Sequence, residues 1–211
     1  LCVDRKTHQP VWRKNILADF GNKPSSWGVS QAPSLWRDLV IVAPQADDAF
    51  VAAYQRETGE LVWQSPGLGK VGYVTPVVTT LAGVEQAVMV AAYGQTAGIS
   101  LENGSILWAY DGFQCQIPIP YPTPLSGDRL FITGGYDAGS AMIQIKREGD
   151  GFGVTELFRT DECGSQIHQP LVYDGHLYAH SNTNSRTDGM ICMTLDGQLK
   201  WRTRDSRDLP Q

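Results

Sequence analysis

The residues Gly67-Leu68-Gly69-Lys70-Val71-Gly72 have the spacing of a phosphate-cradling G-x-G-x-x-G loop. That chemistry needs the loop to run from a strand into a helix N-terminus, whose free N–H groups hold the anion. No helical period follows here, so the stretch reads as a connection between two strand units. His168, His176 and His180 offer the imidazole nitrogens that transition metals accept. His176 and His180 are four apart and share one face of a strand. No carboxylate or thiol completes a ligand set at a recognised spacing, so packing or surface roles are expected and no metal site. Asp47-Asp48, Asp137 and Asp188 are carboxylates of the kind that hold calcium or work as acid and base. They recur at comparable places between strands, which reads as turn chemistry. Asn103-Gly104-Ser105 fits an N-glycosylation acceptor, but a hairpin turn asks for the same Asn-Gly pair.

Four cysteines, Cys2, Cys115, Cys163 and Cys192, contain no C-x-x-C spacing, so no zinc knuckle is expected. Cys2 and Cys192 sit within apolar strand patterns and read as small buried hydrophobes. Cys115 and Cys163 precede Pro124 and Pro170 by nine and seven residues. They therefore occupy similar connecting segments, and they are the candidates for a disulfide.

The formal net charge is −5 and the basic residues are scattered, which argues against a nucleic-acid partner. No apolar run approaches the ~20 residues of a membrane-spanning helix, so no transmembrane segment is expected. The opening Leu1-Cys2-Val3-Asp4-Arg5-Lys6 lacks the basic and apolar blocks of a signal peptide and reads as the middle of a strand. The chain is therefore expected to begin inside a larger protein.

Two repeated series reveal the elements that must position these residues. Trp12, Trp63, Trp108, Phe158 and Trp201 each close a short apolar run, at spacings of 51, 45, 50 and 43 residues. Turn residues precede them: Thr7-His8, Thr58-Gly59, Asn103-Gly104 and Asp196-Gly197. The Asn-Gly and Asp-Gly pairs suggest type I′ hairpins. The Phe158 unit departs from the pattern, with a turn that reads as enlarged through Arg147-Glu148-Gly149-Asp150-Gly151. Out of phase with these, Pro33, Pro76, Pro124 and Pro170 each open an apolar run, at spacings of 43, 48 and 46. Proline suits a first strand position, where its missing N–H costs no ladder bond. A turn and another apolar run follow each proline.

Four short strands recurring every 40–50 residues is the pattern of a propeller blade. The expected fold is all-β: a partial β-propeller of four-stranded antiparallel blades, an open arc from a seven- or eight-bladed ring. Residues 1–20 end a preceding blade, 21–65, 66–110, 111–161 and 162–204 form four blades, and 205–211 begin the next connection. In such a ring the first strand of each blade lines the central channel, and the residues leading into it face one mouth. Trp27, Gln31, Tyr73, Thr75, Tyr121, Thr123, Gln166 and His168 are thereby expected around a shared mouth. They either hold a ligand or partner there or plug the channel.

The stretch Ala53-Tyr54-Gln55-Arg56-Glu57-Thr58-Gly59-Glu60-Leu61-Val62-Trp63 resembles the A-x-D-x-x-T-G-x-x-x-W repeat of PQQ-like propellers. Asp4-Arg5-Lys6-Thr7 and the Trp108 and Trp201 units look like weaker copies. Trp27-Gly28-Val29-Ser30-Gln31-Ala32-Pro33 and Gly72-Tyr73-Val74-Thr75-Pro76 look like a bacterial envelope subfamily of such repeats. The superfamily includes quinoprotein alcohol dehydrogenases and a non-catalytic lipoprotein propeller of the outer-membrane β-barrel assembly machine. The resemblance implies that Trp12, Trp63, Trp108, Phe158 and Trp201 dock each blade onto the next. It also implies that Gln55, in place of the usual Asp, weakens its turn.

The resulting expectation is a non-catalytic binding or assembly scaffold in the periplasm or cell envelope, with another protein or an extended ligand as partner. The alternatives are a dehydrogenase using PQQ and calcium, and a carbohydrate- or polymer-binding propeller. For the dehydrogenase, no Cys-Cys pair and no calcium-binding Glu/Asn/Asp set can be assembled from these blades. No catalytic, cofactor-binding or metal-binding residue is expected, and fold alone does not decide the chemistry.

Overall fold

A computed structural model describes residues 1–182 and 187–205 of the chain. The expected connection at 205–211 lies outside the described residues from position 206 onward. Strands β1 (Cys2–Val3) and β2 (Pro10–Trp12) form a hairpin. A one-turn helix follows at Ile16–Asp19, capped by the Asn15 side chain. Four antiparallel four-stranded sheets come next, each in sequence order from first strand to last. Blade 1 holds β3 (Ser34–Trp36), β4 (Leu39–Val42), β5 (Ala52–Gln55) and β6 (Leu61–Gln64). Blade 2 holds β7 (Val77–Leu81), β8 (Val84–Val90), β9 (Thr96–Ser100) and β10 (Ile106–Tyr110). Blade 3 holds β11 (Thr123–Leu125), β12 (Arg129–Gly134), β13 (Gly139–Glu148) and β14 (Gly151–Thr160). Blade 4 holds β15 (Leu171–Tyr173), β16 (His176–Asn182), β17 (Thr187–Thr194) and β18 (Leu199–Arg202). The chain is a partial propeller whose sheets do not close into a ring.

Each blade buries its faces against its neighbours. One core cluster runs from Ile41, Phe50 and Ala53 of blade 1 through Val88 and Ile99 to Leu130, Ile132 and Ile143 of blade 3. A second joins Phe131 and Met142 to Leu177, Ile191 and Met193 of blade 4. Leu130 and Ile132 face one cluster and Phe131 the other, the period-2 alternation of a sheet buried on both faces. At the inner edge, Ser34 Oγ donates to Pro76 O at 2.6 Å and stitches blade 1 to blade 2.

The prolines and aromatics fall where the repeats place them. Pro33, Pro76 and Pro170 stand immediately before the first strands of their blades, and Pro124 is the second residue of β11. The five aromatics lie on the last strand of each unit, opposite Cys2, Ala53, Gly98, Met142 and Cys192. Each is preceded by a β-bulge: the pairing skips Val11, Val62, Leu107, Leu157 and Lys200. Phe158 thus shares the local geometry of the tryptophans, although its hairpin differs.

Several expectations need correction. The β13–β14 turn is not enlarged: Glu148 pairs with Gly151 across two residues, and the extra length lies in two ten-residue strands. The third-to-fourth turns are not type I′, because Gly104 and Gly197 have positive φ but Asn103 and Asp196 do not. Asn103 contributes its side chain instead, accepting from Ser105 N at 3.0 Å. The paired positive φ values of type I′ occur at the first-to-second turns Ala82-Gly83, Gly127-Asp128 and Asp174-Gly175. Asp188 is not a turn residue. It lies within β17, fully buried, with Arg204 at 2.6 Å and Arg202 at 3.6 Å. Such ion pairing is how a buried carboxylate is tolerated.

Cys115 and Cys163 remain thiols, not a disulfide. Cys115 packs in the first core cluster and Cys163 in the second, so the blade 3 sheet stands between them. Burial also raises the Cys115 thiol to about 11, which suppresses the reactive thiolate.

Candidate functional site

In a four-stranded antiparallel blade, the segment entering the first strand and the second-to-third connection lie on one side. The first-to-second and third-to-fourth turns lie on the other. On the turn side of blades 1 and 2, Arg37 pairs with Glu85 and Glu102, and Arg56 with Asp38; on the linker side of blade 4, Arg202 pairs with Glu162 and Arg204 with Asp188. The linker side carries exposed Trp27, Val29, Tyr93, Tyr121 and Ile167. A cleft of about 380 Å³ opens there, lined by Trp27, Ser30, Tyr73, Ile117, Ile119, Tyr136 and Gln166. These seven come from the segments entering all four blades, plus the second-to-third turn of blade 3.

Each segment is held by backbone contacts rather than by regular structure. Buried Gln45 brackets Gly72: its Oε1 accepts from Gly72 N, and its Nε2 donates to Gly72 O at 3.1 Å. Gln31 Nε2 donates to the same carbonyl at 2.8 Å. A side chain at Gly72 would meet Pro118 Cγ at 2.7 Å, so only glycine permits this approach. The next amide, Tyr73 N, donates to Pro118 O at 2.8 Å. Ser25 Oγ donates to Gly28 O at 2.7 Å and accepts from Tyr73 Oη at 2.8 Å. The Tyr73 ring is thereby fixed 5.9 Å from Trp27, at an interplanar angle of 58°. Trp27 itself rides on a tight turn closed by Gly28 N to Ser25 O at 2.9 Å, and is 68% exposed. Tyr136 and Asp137 both have positive φ, at 55° and 60°. This costly left-handed pair aims the Tyr136 ring at the cleft.

Of the eight residues expected at a mouth, the structure brings Trp27, Tyr73 and Gln166 together in the cleft. Gln31, Thr75 and Thr123 spend hydrogen bonds on joining segments. Beyond the Gln31 bond to Gly72, Thr75 Oγ1 accepts from Ala32 N, and Thr123 Oγ1 accepts from Gln169 Nε2, each at 3.0 Å. Tyr121 is 43% exposed and outside the cleft lining. His168 packs edge-on against His180, with centroids 5.1 Å apart. His176 bonds Asp174 O through Nδ1. Among the described residues no three His, Cys, Asp or Glu side chains gather as a metal group.

Sequence reasoning missed Ser30, Ile117, Ile119 and Tyr136. The run Ile117-Pro118-Ile119-Pro120 was the available signal. Prolines at alternate positions hold the chain extended and set both isoleucines toward one side. The G-x-G-x-x-G stretch has a packing role. Added Cβ atoms would lie 2.3 Å from Asp47 O at Gly67, and 2.8 Å from Gly94 Cα at Gly69. Lys70 and Ala92 exchange backbone hydrogen bonds beside it.

The docking aromatics form two classes. Trp12 Nε1 donates to Arg56 O and Trp63 Nε1 to Leu101 O, each at 2.8 Å. Their rings lie over Gly59 and Gly104 of the next blade's third-to-fourth turn, as Phe158 lies over Gly197. Trp108 departs from the expected docking. Its ring covers Gly98 of its own blade, and its Nε1 donates to Gln86 Oε1 of the same sheet. Blade 3's long β13–β14 hairpin puts no glycine turn where that ring would reach. Trp201 is 46% exposed and packs beside Tyr178 of its own blade, and no following blade lies among the described residues for it to meet. Asp4 Oδ1 accepts from Lys6 N, Thr7 N and Thr7 Oγ1, which holds its carboxyl below the usual carboxylate pKa, chiefly through the Thr7 backbone bond. Gln55, at the matching position, makes no such bonds, and its Oε1 is buried without a partner.

The family model described as outer membrane protein assembly factor BamB matches residues 1–115. Among solved structures, BamB from Moraxella catarrhalis matches with a TM-score of 0.60 and 16% identity, over 84% of this chain and 52% of that one. This chain thus spans about half the length of that protein, and at this identity the likeness concerns the fold. A search of curated proteins finds no match. With more than half of its residues matched by the family model, the chain belongs to the PQQ-like propeller family described as outer membrane protein assembly factor BamB.

Proposed function

We infer that the protein is a non-catalytic binding or assembly scaffold of the bacterial cell envelope, working in the periplasm and presenting its linker side to a partner protein. The observation that carries this reading is the set of apolar groups exposed on the linker side: Val29, Tyr121 and Ile167 stand 48%, 43% and 60% exposed there. Exposed apolar groups on loops held by a rigid scaffold mark interaction surfaces. The family's printed description as an outer membrane protein assembly factor supports outer-membrane protein assembly as the process served.

The cleft does not fit PQQ. None of its seven lining side chains is charged, whereas a tri-carboxylate with calcium needs cationic and carboxylate partners in a partly desolvated site. No cofactor belongs to this reading. The test is a deletion of the gene in its own host, complemented with the full-length protein or with its Val29→Asp, Tyr121→Asp, Ile167→Asp variant. Deletion should lower the amount of outer-membrane β-barrel proteins, and the triple variant, folded by its melting profile, should not restore it. Barrel levels unchanged by deletion would remove the assembly role. Calcium-dependent PQQ binding with dye reduction by alcohols would replace the scaffold with a dehydrogenase.

A further inference from the structure

The cleft has a chemistry of its own, separate from the apolar rim. Its floor and walls are Trp27, Tyr73, Tyr136, Ile117 and Ile119, with Ser30 and Gln166 at the polar positions. The Trp27 and Tyr73 rings, tilted at 58°, make an open aromatic corner. Gln166 is seated against Gly135, where any added Cβ would meet its Cγ at 2.8 Å. Among the described residues, no hydrogen bond engages the Gln166 amide, Ser30 Oγ, Tyr136 Oη or Trp27 Nε1. Tyr73 Oη donates to Ser25 Oγ, whose own proton is spent on Gly28 O, and keeps its lone pairs to accept.

We propose that this cleft is a binding site for a neutral oligosaccharide. Three physical points select that ligand class. The absence of charge in the lining disfavours carboxylates, phosphates and ammonium groups, which would lose hydration without compensation. The aromatic corner offers the negative faces of its π systems to the polarised C–H groups on one face of a pyranose ring. The uncommitted Gln166 amide and the Ser30 and Tyr136 hydroxyls are each both donor and acceptor, and the Trp27 indole adds a donor, which matches sugar hydroxyls, themselves both. A proline-rich peptide would use the same rings, but its prolines supply acceptors only and leave the site's acceptors unmatched. A peptide added as a strand would need a free sheet edge, and the lining comes from loop segments. The volume of about 380 Å³ lies at the lower end of the ~300–1,000 Å³ typical of ligand sites.

The experiment titrates the protein with maltotetraose, cellotetraose and tetra-N-acetylchitotetraose. Tryptophan fluorescence and saturation-transfer NMR are the readouts, with tetragalacturonate and a proline-rich octapeptide as comparison probes. At least one neutral tetrasaccharide should bind saturably and transfer magnetisation through one ring face. Trp27→Ala should weaken it about tenfold, close to 1.4 kcal/mol, and Trp27→Phe should restore most of the loss. Gln166→Leu should weaken it without changing the fluorescence response. Trp27 is exposed, so its variant is expected to fold, and an unchanged melting profile confirms that. The proposal is overturned by no saturable binding of any neutral tetrasaccharide, by binding indifferent to Trp27→Ala, by tighter binding of tetragalacturonate, or by the octapeptide alone occupying the cleft. The rim residues Val29, Tyr121 and Ile167 are untouched in these variants, so failure here leaves the assembly role standing, and loss of that role leaves this site standing.

Discussion

The joint between blades 1 and 2 and the joint between blades 2 and 3 solve one packing problem by different chemistry. At the first, Trp63 crosses to the next blade, lies on Gly104 and donates to Leu101 O. At the second, Trp108 stays on its own sheet, bonded to Gln86, and polar groups are added to the apolar core that crosses there. Tyr110 Oη of β10 donates to Glu156 of β14, and Arg159 reaches Tyr110 Oη, Glu156 and Gly112 O. The Trp63 contact, an apolar ring with a buried hydrogen bond, is indifferent to pH and salt, and the Arg37 pairs with Glu85 and Glu102 that also cross this joint are exposed and weak. A joint of half-exposed charges is sensitive to both. Repeats of one type can therefore be tied together with different strengths, and the local hairpin decides which tie is available.

The largest expected effect comes from Trp63→Ala. The ring is 7% exposed, and truncating a buried large aromatic costs ~3–5 kcal/mol. Chemical denaturation should show it as a lowered midpoint, and an unchanged midpoint would break the docking account. Gly104→Ala attacks the same joint from the other side. Gly104 has φ 76°, and its Cβ would lie 2.7 Å from the Trp63 ring and 2.8 Å from Gln64 O. The left-handed backbone costs an alanine ~1–2 kcal/mol, and overpacking adds ~1–3 kcal/mol. The two variants should be strongly non-additive in a double-mutant cycle.

Gln86→Ala tests the other joint. It leaves the Trp108 N–H buried without its acceptor, at a cost of ~1–3 kcal/mol. Because that bond lies within blade 2, amide hydrogen exchange should rise within β8–β10 and not in β14. Increased exchange in β14 would show that Trp108 docks across the joint after all.

The prolines and aromatics were legible because each marks a strand boundary by residue type at a repeated spacing. The bulge before each aromatic was not. It is a pairing irregularity, and the skipped residues Val11, Val62, Leu107, Leu157 and Lys200 share no residue type. An Asn-Gly pair fits more than one turn family, and type I′ is distinguished by a left-handed asparagine, which Asn103 is not. Asp188 looked like its turn-borne counterparts until Arg202, at the end of β18, and Arg204, in the turn beyond it, arrived beside it. In the cleft, Trp27, Tyr73 and Gln166 were legible from their place before a blade-opening proline. Ser30 and Tyr136 gave no such signal, and Ile117 and Ile119 enter only through the tertiary bond from Tyr73 N to Pro118 O.

The smallest effect is a pH dependence confined to the polar joint. The Tyr110 hydrogen bond, followed by the Arg159 hydrogen bond, lowers the Glu156 carboxyl below its ordinary range. Tyr110 is pushed up to about 12, chiefly by burial and then by its bond to Glu156, so it stays a donor throughout the acid range. A carboxyl with a depressed folded value stabilises fully above its unfolded value, ~4.3 for Glu. That contribution disappears as pH falls through the folded value. Between about pH 6 and pH 3 the blade 2–3 joint should loosen while the Trp63 docking contact, which contains no titratable group, holds. Glu156 is 36% exposed, so solvent screening limits the contribution to under ~1 kcal/mol. Other carboxylates titrate in the same window, so the informative quantity is the difference between the wild-type protein and Tyr110→Phe. That variant removes the hydroxyl donor, and its stability should converge on the wild type as pH falls. Local exchange should likewise rise in β10 and β14 of the wild type and leave β6 unchanged. A constant difference from pH 6 to pH 3 would show that the hydroxyl contributes by packing alone, and the contrast between the two joints would then rest on Trp63 only.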